Sequence, residues 1–216
     1  MRPDVKINDI SLFTLGWLRE SVDFPTPQSQ TNTIVVPGRN APIRYTEALG
    51  SISYQPREFT ILLSMLGNRT QFDLKVAEVV NRFAGRLCKV ICSDTPQVYA
   101  LGTLEAEPVY DPLIGKGQLT LSCEDGDSYL YHVKETVVTK SGSGTVTLSN
   151  DYMPVVPVVE TTGETALAWR VGEEEFRKSV SAGTWEFPEM ELQAGENQLT
   201  VTAEGMTTFR YREGRL

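Results

Sequence analysis

The sequence is poor in the residues that most enzyme and metal sites require. Only one of its 216 residues is histidine and only three are cysteine. The single histidine, His132, cannot complete a three- or four-ligand metal site without cysteine or carboxylate partners. Phosphate-binding loops, nucleophile elbows and dinucleotide-binding glycine motifs are also absent. We therefore predict no catalytic residue, no metal site and no bound cofactor, and we expect a protein that is not an enzyme.

Basic residues are outnumbered by acidic ones, and no apolar run is long. The chain has 20 Lys and Arg against 28 Asp and Glu, a net charge of −8. That charge repels nucleic-acid phosphates and anionic membrane surfaces on average. No stretch reaches the roughly 20 apolar residues of a membrane helix, and the first residues lack the apolar core of a secretory signal. We expect synthesis in a reducing cytoplasm, no specific nucleic-acid binding and no membrane association.

The sequence contains many short segments in which apolar and polar residues alternate, separated by turns. The 17 Gly and 12 Pro favour many short strands over long helices. Apolar residues alternate with polar ones from Phe59 to Met65, which predicts a strand with one buried face. One helix is predicted at about residues 71–84, where apolar residues recur at helical spacing, with Thr70 and Asp73 as its capping pair. The first half is thus predicted to be strands around one helix.

Two segments of the first half are predicted to be exposed connections. Pro25–Thr33 is polar and proline-containing, and Asp111–Gly117 is predicted to be the seven-residue tip of an antiparallel hairpin. Between them, Cys88 and Cys92 share one face of a strand pattern. We interpret these two cysteines and Cys123 as buried small apolar side chains rather than as metal ligands.

The second half has a different pattern of apolar residues. Beyond Thr145 about seven short strand candidates follow one another with no helical period, which predicts a small β-sandwich. Within it, Gly183–Thr202 is interpreted as a strand, a short connection and a return strand. Before this half, Glu124–Asp127 and Ser141–Gly144 have turn or linker composition and bracket an extended stretch around Val137 and Val138. We predict a first domain at 1–130, a linker region at 131–144 and a second domain at 145–216.

Acidic residues offer one enzymatic alternative. Glycoside hydrolysis needs two carboxylates that face each other across a cleft. Glu186 and Glu189 are three residues apart on a predicted strand and therefore point to opposite faces. The run Glu173–Glu175 is more simply a solvated turn. Trp185 beside Glu186 leaves a carbohydrate-binding module open as the alternative function, for attachment to a host or its cell wall.

The order of several weak motifs resembles that of the distal tail protein (Dit) family of long-tailed, non-contractile bacteriophages and prophages. In the first half the similarity rests on the helix together with Asn8–Ile10, Val36–Asn40, Arg57–Ile61, Tyr99–Leu104 and Leu119–Glu124. In the second half it rests on Asn150, Pro154, Pro157, Phe187–Pro188, Gly195–Asn197 and Arg210–Arg212. Glu124–Tyr129 departs from the Asp-Pro-Tyr that the family often has, which leaves the domain junction open.

This resemblance implies a mainly β fold, with an N-terminal β-sandwich-like belt domain that contains one α-helix and a C-terminal galectin-like β-sandwich. It implies a structural adaptor at the virion tail tip, without catalytic residues. Family members form a ring, usually a hexamer, that joins the tail tube to the tip or baseplate. The expected partners are further copies of the chain, the tail tube protein, a tail-tip hub or tail-associated lysin, and receptor-binding proteins.

Two projecting segments carry the expected subunit contacts. Arg39 and Arg44 flank a loop and are placed to pair with carboxylates of a neighbouring subunit. The second segment is the Asp111–Gly117 tip, which is expected, like the Pro25–Thr33 loop, to contact neighbouring subunits or the tail tube. The predicted interface residues are Pro37, Gly38, Arg39, Arg44, Asp111 and Lys116.

Overall fold

The computed structural model describes residues 3–41, 43–45 and 52–216, and the side chains of residues 32 and 43–45 are outside that description. The chain divides into two compact units, Met1–Leu130 and Tyr131–Leu216, called here the N-terminal unit and the C-terminal unit. Among the described residues, no helix has both the length and the apolar character needed to cross a bilayer. The mainly β fold with one helix that the sequence predicts is confirmed.

The N-terminal unit contains two sheets, a two-stranded ribbon and the helix. Strands β2-β1-β7-β8 neighbour one another in one sheet and β3-β6-β10-β9 in the other, while β4 and β5 pair only with each other. The elements in chain order are β1 Val5–Ile7, β2 Ile10–Ser11, β3 Leu18–Asp23, β4 Asn32–Ile34, β5 Ile43–Tyr45, β6 Arg57–Leu66, α1 Arg69–Phe83, β7 Leu87–Cys92, β8 Val98–Thr103, β9 Glu105–Asp111 and β10 Lys116–Gly126.

Alternation along β6 and β10 builds the core of this unit. The two strands are antiparallel and pair Ile61 with Leu121 and Leu63 with Leu119, so the buried side chains of both lie on one face of the sheet. All three cysteines are free and buried, which confirms that they serve as small core residues. Burial raises the pKa of the Cys88 thiol, and burial followed by the Asp125 carboxylate raises that of Cys123 to about 12.

The helix is confirmed, but its cap differs from the prediction. Asn68 is the N-cap: its side chain accepts from the backbone N–H of Gln71 at 2.9 Å, and the Gln71 side chain accepts from the Asn68 N–H at 3.2 Å. The predicted pair, Thr70 and Asp73, lies inside the helix. An asparagine caps as well as a threonine does, and the start two residues earlier gives Asp73 a different partner, Arg69 at 2.8 Å.

The hairpin between β9 and β10 is also confirmed, with a shorter tip than predicted. Asp111 pairs with Lys116 at the last rung of the ladder, so only residues 112–115 form the loop. The Asp111 carboxylate accepts from the N–H of Leu113 at 2.9 Å, which holds the loop tight. The seven-residue tip of the prediction was wrong because both of its ends are strand.

The C-terminal unit is a sandwich of two four-stranded sheets, β12-β19-β14-β17 and β13-β18-β15-β16. Both sheets are antiparallel throughout. The short strand β11, Leu130–His132, spans the boundary between the units. The remaining elements are β12 Thr136–Ser141, β13 Gly144–Asn150, β14 Val158–Thr161, β15 Thr165–Val171, β16 Glu174–Val180, β17 Gly183–Glu186, β18 Gly195–Ala203, β19 Met206–Tyr211 and β20 Gly214–Arg215.

Two segments of the C-terminal unit differ from their interpretation. Strands β17 and β18 do not form a hairpin, because β17 pairs with β14 in one sheet and β18 with β13 and β15 in the other. The chain between them turns the corner of the sandwich and buries Phe187, Met190 and Leu192. The interval 131–144, assigned to a linker, contains β12, which pairs with β19.

Candidate assembly surfaces

A buried arginine holds the root of a segment that leaves the N-terminal unit between β3 and β6. Arg57 is 1% exposed, and its guanidinium donates to the carbonyls of Pro25 at 2.6 Å, Phe24 at 3.3 Å and Ser128 at 2.8 Å. Burial lowers the pKa of Arg57, and no described carboxylate forms an ion pair with it. Its charge is compensated by carbonyl dipoles alone, which fixes both ends of the departing segment.

The departing segment is a ribbon, called here the arm and comprising the described residues 25–41, 43–45 and 52–56. Near its root, Gln30 donates its N–H to Ser53 and Gln55 donates to Gln28, both at 2.8 Å. Further out, β4 and β5 pair antiparallel. The arm is therefore ordered by backbone hydrogen bonds, although much of the Pro25–Thr33 stretch has the exposed surface predicted for a loop.

Apolar side chains near the end of the arm are open to solvent. Ile34, Val35 and Val36 are 52%, 79% and 38% exposed. The turn that follows contains the predicted interface residues Pro37, Gly38 and Arg39, all exposed. Gly38 has φ +82, a left-handed conformation that favours glycine. Such β-branched residues gain nothing from exposure, so this run has the character of a contact surface.

Two further predicted residues, Asp111 and Lys116, lie opposite each other at the base of the β9–β10 tip. The remaining one, Arg44, pairs with Thr33 in the arm ladder, and its side chain is outside the described atoms. The structure thus places the six predicted residues on two projecting elements, the arm and the tip.

The tip carries an apolar patch that the sequence analysis missed, formed by Leu66, Leu113 and Ile114 and called here the tip patch. These side chains are 75%, 92% and 66% exposed. They are neighbours because Leu66 pairs with Lys116 in the ladder and the N–H of Gly67 donates to the carbonyl of Gly115 at 3.0 Å. A Leu-Ile pair inside a four-residue hairpin loop was the available signal, since such a loop has no core to bury it.

A polar network fixes the other side of the tip. The Lys116 ammonium lies 2.6 Å from the Glu20 carboxylate, and Gln118 donates to Glu20 at 3.1 Å. The hydrogen bond from Lys116, with a further one from Ser64, lowers the pKa of Glu20. These contacts join β3 to β10 across β6. Lys116 therefore connects the base of the tip to the edge strand β3.

The sheet β3-β6-β10-β9 has two edges, and no strand among the described residues pairs with the outer side of either β3 or β9. Unpaired edges are association sites unless they are protected. Along β9 the residues Glu105, Glu107 and Asp111 are exposed and acidic, and the strand contains no basic residue. Pro108 lies within it, as prolines in sheets do at edge strands.

An apolar groove of about 310 Å³ lies between α1 and the edge strand β9. Its lining residues include Phe72, Val76 and Val80 from the helix and Pro108 and Tyr110 from the strand. Val76 and Val80 share the helical spacing from which the helix was predicted, yet both are only half-buried, unlike Val79 beside them. They leave the helix face open on the β9 side of the unit.

The histidine and two of the glutamates named in the sequence analysis lie apart from one another in the C-terminal unit. The His132 ring lies 3.1 Å from the Asp151 carboxylate, in a partly exposed pair. Glu189 pairs with Lys178 at 3.2 Å, whereas Glu186 is exposed at the end of β17. In the part of the chain that the structure describes, no group of three or more His, Cys, Asp or Glu side chains is placed to hold a metal ion.

A shallow groove of about 530 Å³ crosses the outer face of sheet β13-β18-β15-β16. Polar side chains line it, among them Arg170, Glu175 and Gln198, and Ala168 lies on its floor. The guanidinium of Arg177, followed by that of Arg170, lowers the pKa of Glu175. The one aromatic lining residue, Trp169, points inward and is 5% exposed.

Comparison with known proteins finds similarity in structure and not in sequence. No protein-family model matches the chain, and no curated protein matches it. Among solved structures, the crystal structure of the Dit protein (gp 19.1) of phage SPP1 superposes with a TM-score of 0.72 at 14% identity, covering 100% of both chains. That protein is described as a paradigm of the hub adsorption apparatus of phages that infect Gram-positive bacteria. The chain has the fold of this Dit protein over its whole length, as the resemblance predicted.

Proposed function

We propose that this chain is a structural adaptor of a phage or prophage tail tip, in which identical subunits form a ring. The observation that carries the proposal is the fold shared with the SPP1 Dit protein across both units. A likeness restricted to one sandwich would be weak, since sandwiches serve many functions. A match that includes both units and their order along the chain supports the same architectural use.

The ring contact follows from the open sheet of the N-terminal unit. Strands β3 and β9 are its two edges, at opposite sides of one sheet. A contact between the β3 side of one copy and the β9 side of the next uses two different surfaces, so it repeats and closes into a ring when the rotation divides a full turn. A hexamer is the size that the resemblance implies. The interface residues Pro37, Gly38, Arg39, Arg44, Asp111 and Lys116 lie on the elements that project from this sheet.

The exposed face of the same sheet is suited to line a channel. Glu105, Glu107 and Asp111 of β9 and Asp23 of β3 are exposed there. A ring lined by carboxylates repels the phosphates of passing DNA and lets the nucleic acid move without adhering. A reconstruction that places these four carboxylates on the outer rim of the ring would refute this part of the proposal.

The remaining partners follow from the position of an adaptor. The tail tube protein lies on one side of the ring, and a tail-tip hub or tail-associated lysin on the other. The C-terminal unit extends toward the baseplate or receptor-binding proteins. In this proposal the protein belongs to the virion tail tip, is made in the host cytoplasm and performs no catalysis.

Solution mass and imaging test the proposal directly. We expect the purified chain to give a mass by light scattering of six times the 24.0 kDa subunit, and negative-stain images to show rings with a central opening. A protein that stays monomeric at every concentration examined, up to those near precipitation, would contradict it.

Carbohydrate binding is the alternative function, and the groove on the C-terminal sandwich is the observation that favours it. Its hydroxyl, amide and charged side chains can bond sugar hydroxyls. Sugar sites usually also offer an exposed aromatic face, and Trp169 does not provide one. The adaptor proposal predicts no specific hit on a glycan array, and a hit that Gln198→Ala removes would favour the alternative.

A further inference from the structure

The arm and the groove between α1 and β9 are two solvent-exposed surfaces with apolar residues, and they lie at opposite edges of one sheet. The arm is the continuation of β3 and returns into β6. The groove borders β9, at the far edge. One surface presents exposed apolar side chains, and the other is a mainly apolar depression, with Arg69, Asp73 and Asn81 also in its lining.

The two surfaces also carry opposite charge. The arm sequence from residue 25 to residue 56 contains two basic residues, Arg39 and Arg44, and one acidic residue, Glu47, a net charge of +1 in a chain of net charge −8. Strand β9 carries three acidic residues and no basic one. Asp73, on the groove itself, is 53% exposed despite its pairing with Arg69, so it can accept from a second guanidinium. The exposed turn around Arg39 therefore complements the β9 side.

We propose that the arm of one copy docks on the next copy, with Ile34, Val35 and Val36 covering the groove between α1 and β9 and Arg39 beside the acidic edge strand. The occupant of the groove is a second copy of this chain. The docking deepens the proposed function and rests on it, because it names the contact that orders neighbouring subunits in the ring. Arm and groove are different surfaces, so each copy gives one and receives one.

The hydrogen bonds at the root of the arm reduce the entropy cost of docking. The Arg57 guanidinium bonds carbonyls on both sides of the root, so little of the contact free energy is lost in ordering the base of the arm. Val35, at 79% exposure, is the arm residue with most surface to bury. On the helix, Ala77 is exposed, lines the groove and has a side chain small enough to replace by cysteine.

Disulfide trapping on the full-length chain tests the proposal. In the double variant Val35→Cys with Ala77→Cys, mild oxidation is expected to give a ladder of covalent multimers on a non-reducing gel, up to the ring size. The native thiols of Cys88, Cys92 and Cys123 are buried, so they add little background. The matched control is Val35→Cys with Leu74→Cys, because Leu74 is 68% exposed on the same helix but does not line the groove. The control is expected to give no ladder.

Charge provides a second measurement that needs no oxidation. Val35→Asp is expected to weaken self-association at least tenfold. Arg39→Glu is expected to weaken it severalfold, with partial recovery when Glu107→Lys is added. A ring of normal mass without the disulfide ladder would overturn the docking and leave the proposed function standing. A trapped species that stops at the dimer would overturn the head-to-tail arrangement. A monomer under all conditions would overturn both proposals.

Discussion

The two units of this protein differ in how many large apolar side chains they expose to solvent. Among the described residues, the N-terminal unit exposes twelve large apolar side chains and the C-terminal unit three, Val137, Tyr152 and Met206. The most exposed residues of the N-terminal unit are in the tip patch and the arm. In the C-terminal unit the three exposed side chains are 43–46% accessible. Both units are built from alternating strands, so alternation alone does not explain the contrast.

The contrast arises because the C-terminal unit covers its apolar faces internally, whereas the N-terminal unit leaves part of its apolar surface open. Two facing sheets in the C-terminal unit cover each other's apolar faces, and the corner formed by Phe187, Met190 and Leu192 closes one end. The N-terminal unit has a core of its own, and seven of its twelve exposed apolar side chains lie on the arm or in the tip patch, away from that core. Surface of this kind is typical of association sites, so we expect the proposed self-assembly to use the first unit.

Disrupting the tip patch is expected to have the largest effect. Leu113→Asp with Ile114→Asp puts two carboxylates on the tip, one of the two projecting elements that are expected to carry subunit contacts, and we expect association to weaken at least ~100-fold. Circular dichroism and the urea midpoint should not change, because both side chains are solvent-exposed in the monomer. Light scattering across a concentration series gives the association constant.

The matched control lies in the other unit. Val137→Asp with Met206→Asp makes the same change at two exposed positions of strands β12 and β19. We expect this variant to retain the mass of the assembled protein. If the control dissociates and the tip variant does not, the assignment of assembly to the N-terminal unit is wrong.

Arg57→Met is expected to have the largest effect on folding. It leaves the carbonyls of Phe24, Pro25 and Ser128 without donors in a buried site, which we expect to cost about 2–4 kcal/mol in the free energy of unfolding. Arg57→Lys restores a charge but not the planar set of donors, and is expected to recover part of the loss. Urea denaturation measures both. A cost below about 0.5 kcal/mol for the methionine variant would show that the arm root does not depend on this guanidinium.

Tyr211→Phe tests the C-terminal unit in the same way, with a smaller effect. The Tyr211 hydroxyl donates to the carbonyl of Ser149, which links β19 of one sheet to β13 of the other, and burial raises the pKa of Tyr211 to about 12. Removing the hydroxyl leaves one buried acceptor, at a cost of about 1 kcal/mol in unfolding free energy. Thr147→Val, which removes a hydroxyl at an exposed position of β13, is the control. Equal effects from the two changes would contradict the role given to the bond between the sheets.

Most of the fold could be predicted from the sequence because its signals are local. The alternation of β6 and the helical spacing that includes Phe72 and Val79 depend only on neighbouring residues. All seven strand candidates beyond Thr145 have a counterpart in the structure. The extended stretch predicted around Val137 and Val138 is β12, but it was assigned to a linker region because Ser141–Gly144 has linker composition and no local pattern reveals that β19 is its partner.

The assembly surfaces were harder to predict, for a physical reason. Whether Leu113 or Val35 is exposed depends on which other segments of the folded chain pack against it. The residue type alone does not tell a buried leucine or valine from an exposed one. The predicted residues Arg39 and Lys116 lie on projecting elements because turns carry local signals; their role in subunit contacts stays a prediction. The groove could not be found from sequence, since Val76 and Val80 have the spacing of buried helix residues. The role of Arg57 was equally hidden, because its partners are backbone carbonyls distant in sequence.

The smallest expected effect concerns Glu20 and Lys116, which connect β3 to the base of the tip. Because the folded state lowers the pKa of Glu20 below its ordinary 4.5, the interaction contributes stability above about that pH and loses it as the pH falls through the folded pKa. Glu20→Gln is therefore expected to lower the free energy of unfolding by less than about 1 kcal/mol at neutral pH, and by progressively less below about pH 4.5. Denaturant titrations at pH 7, 4 and 3, with Glu58→Gln as an exposed control, measure the trend. A deficit that grows as the pH falls would mean that Glu20 stabilises the sheet in its protonated form, which would contradict the pairing with Lys116.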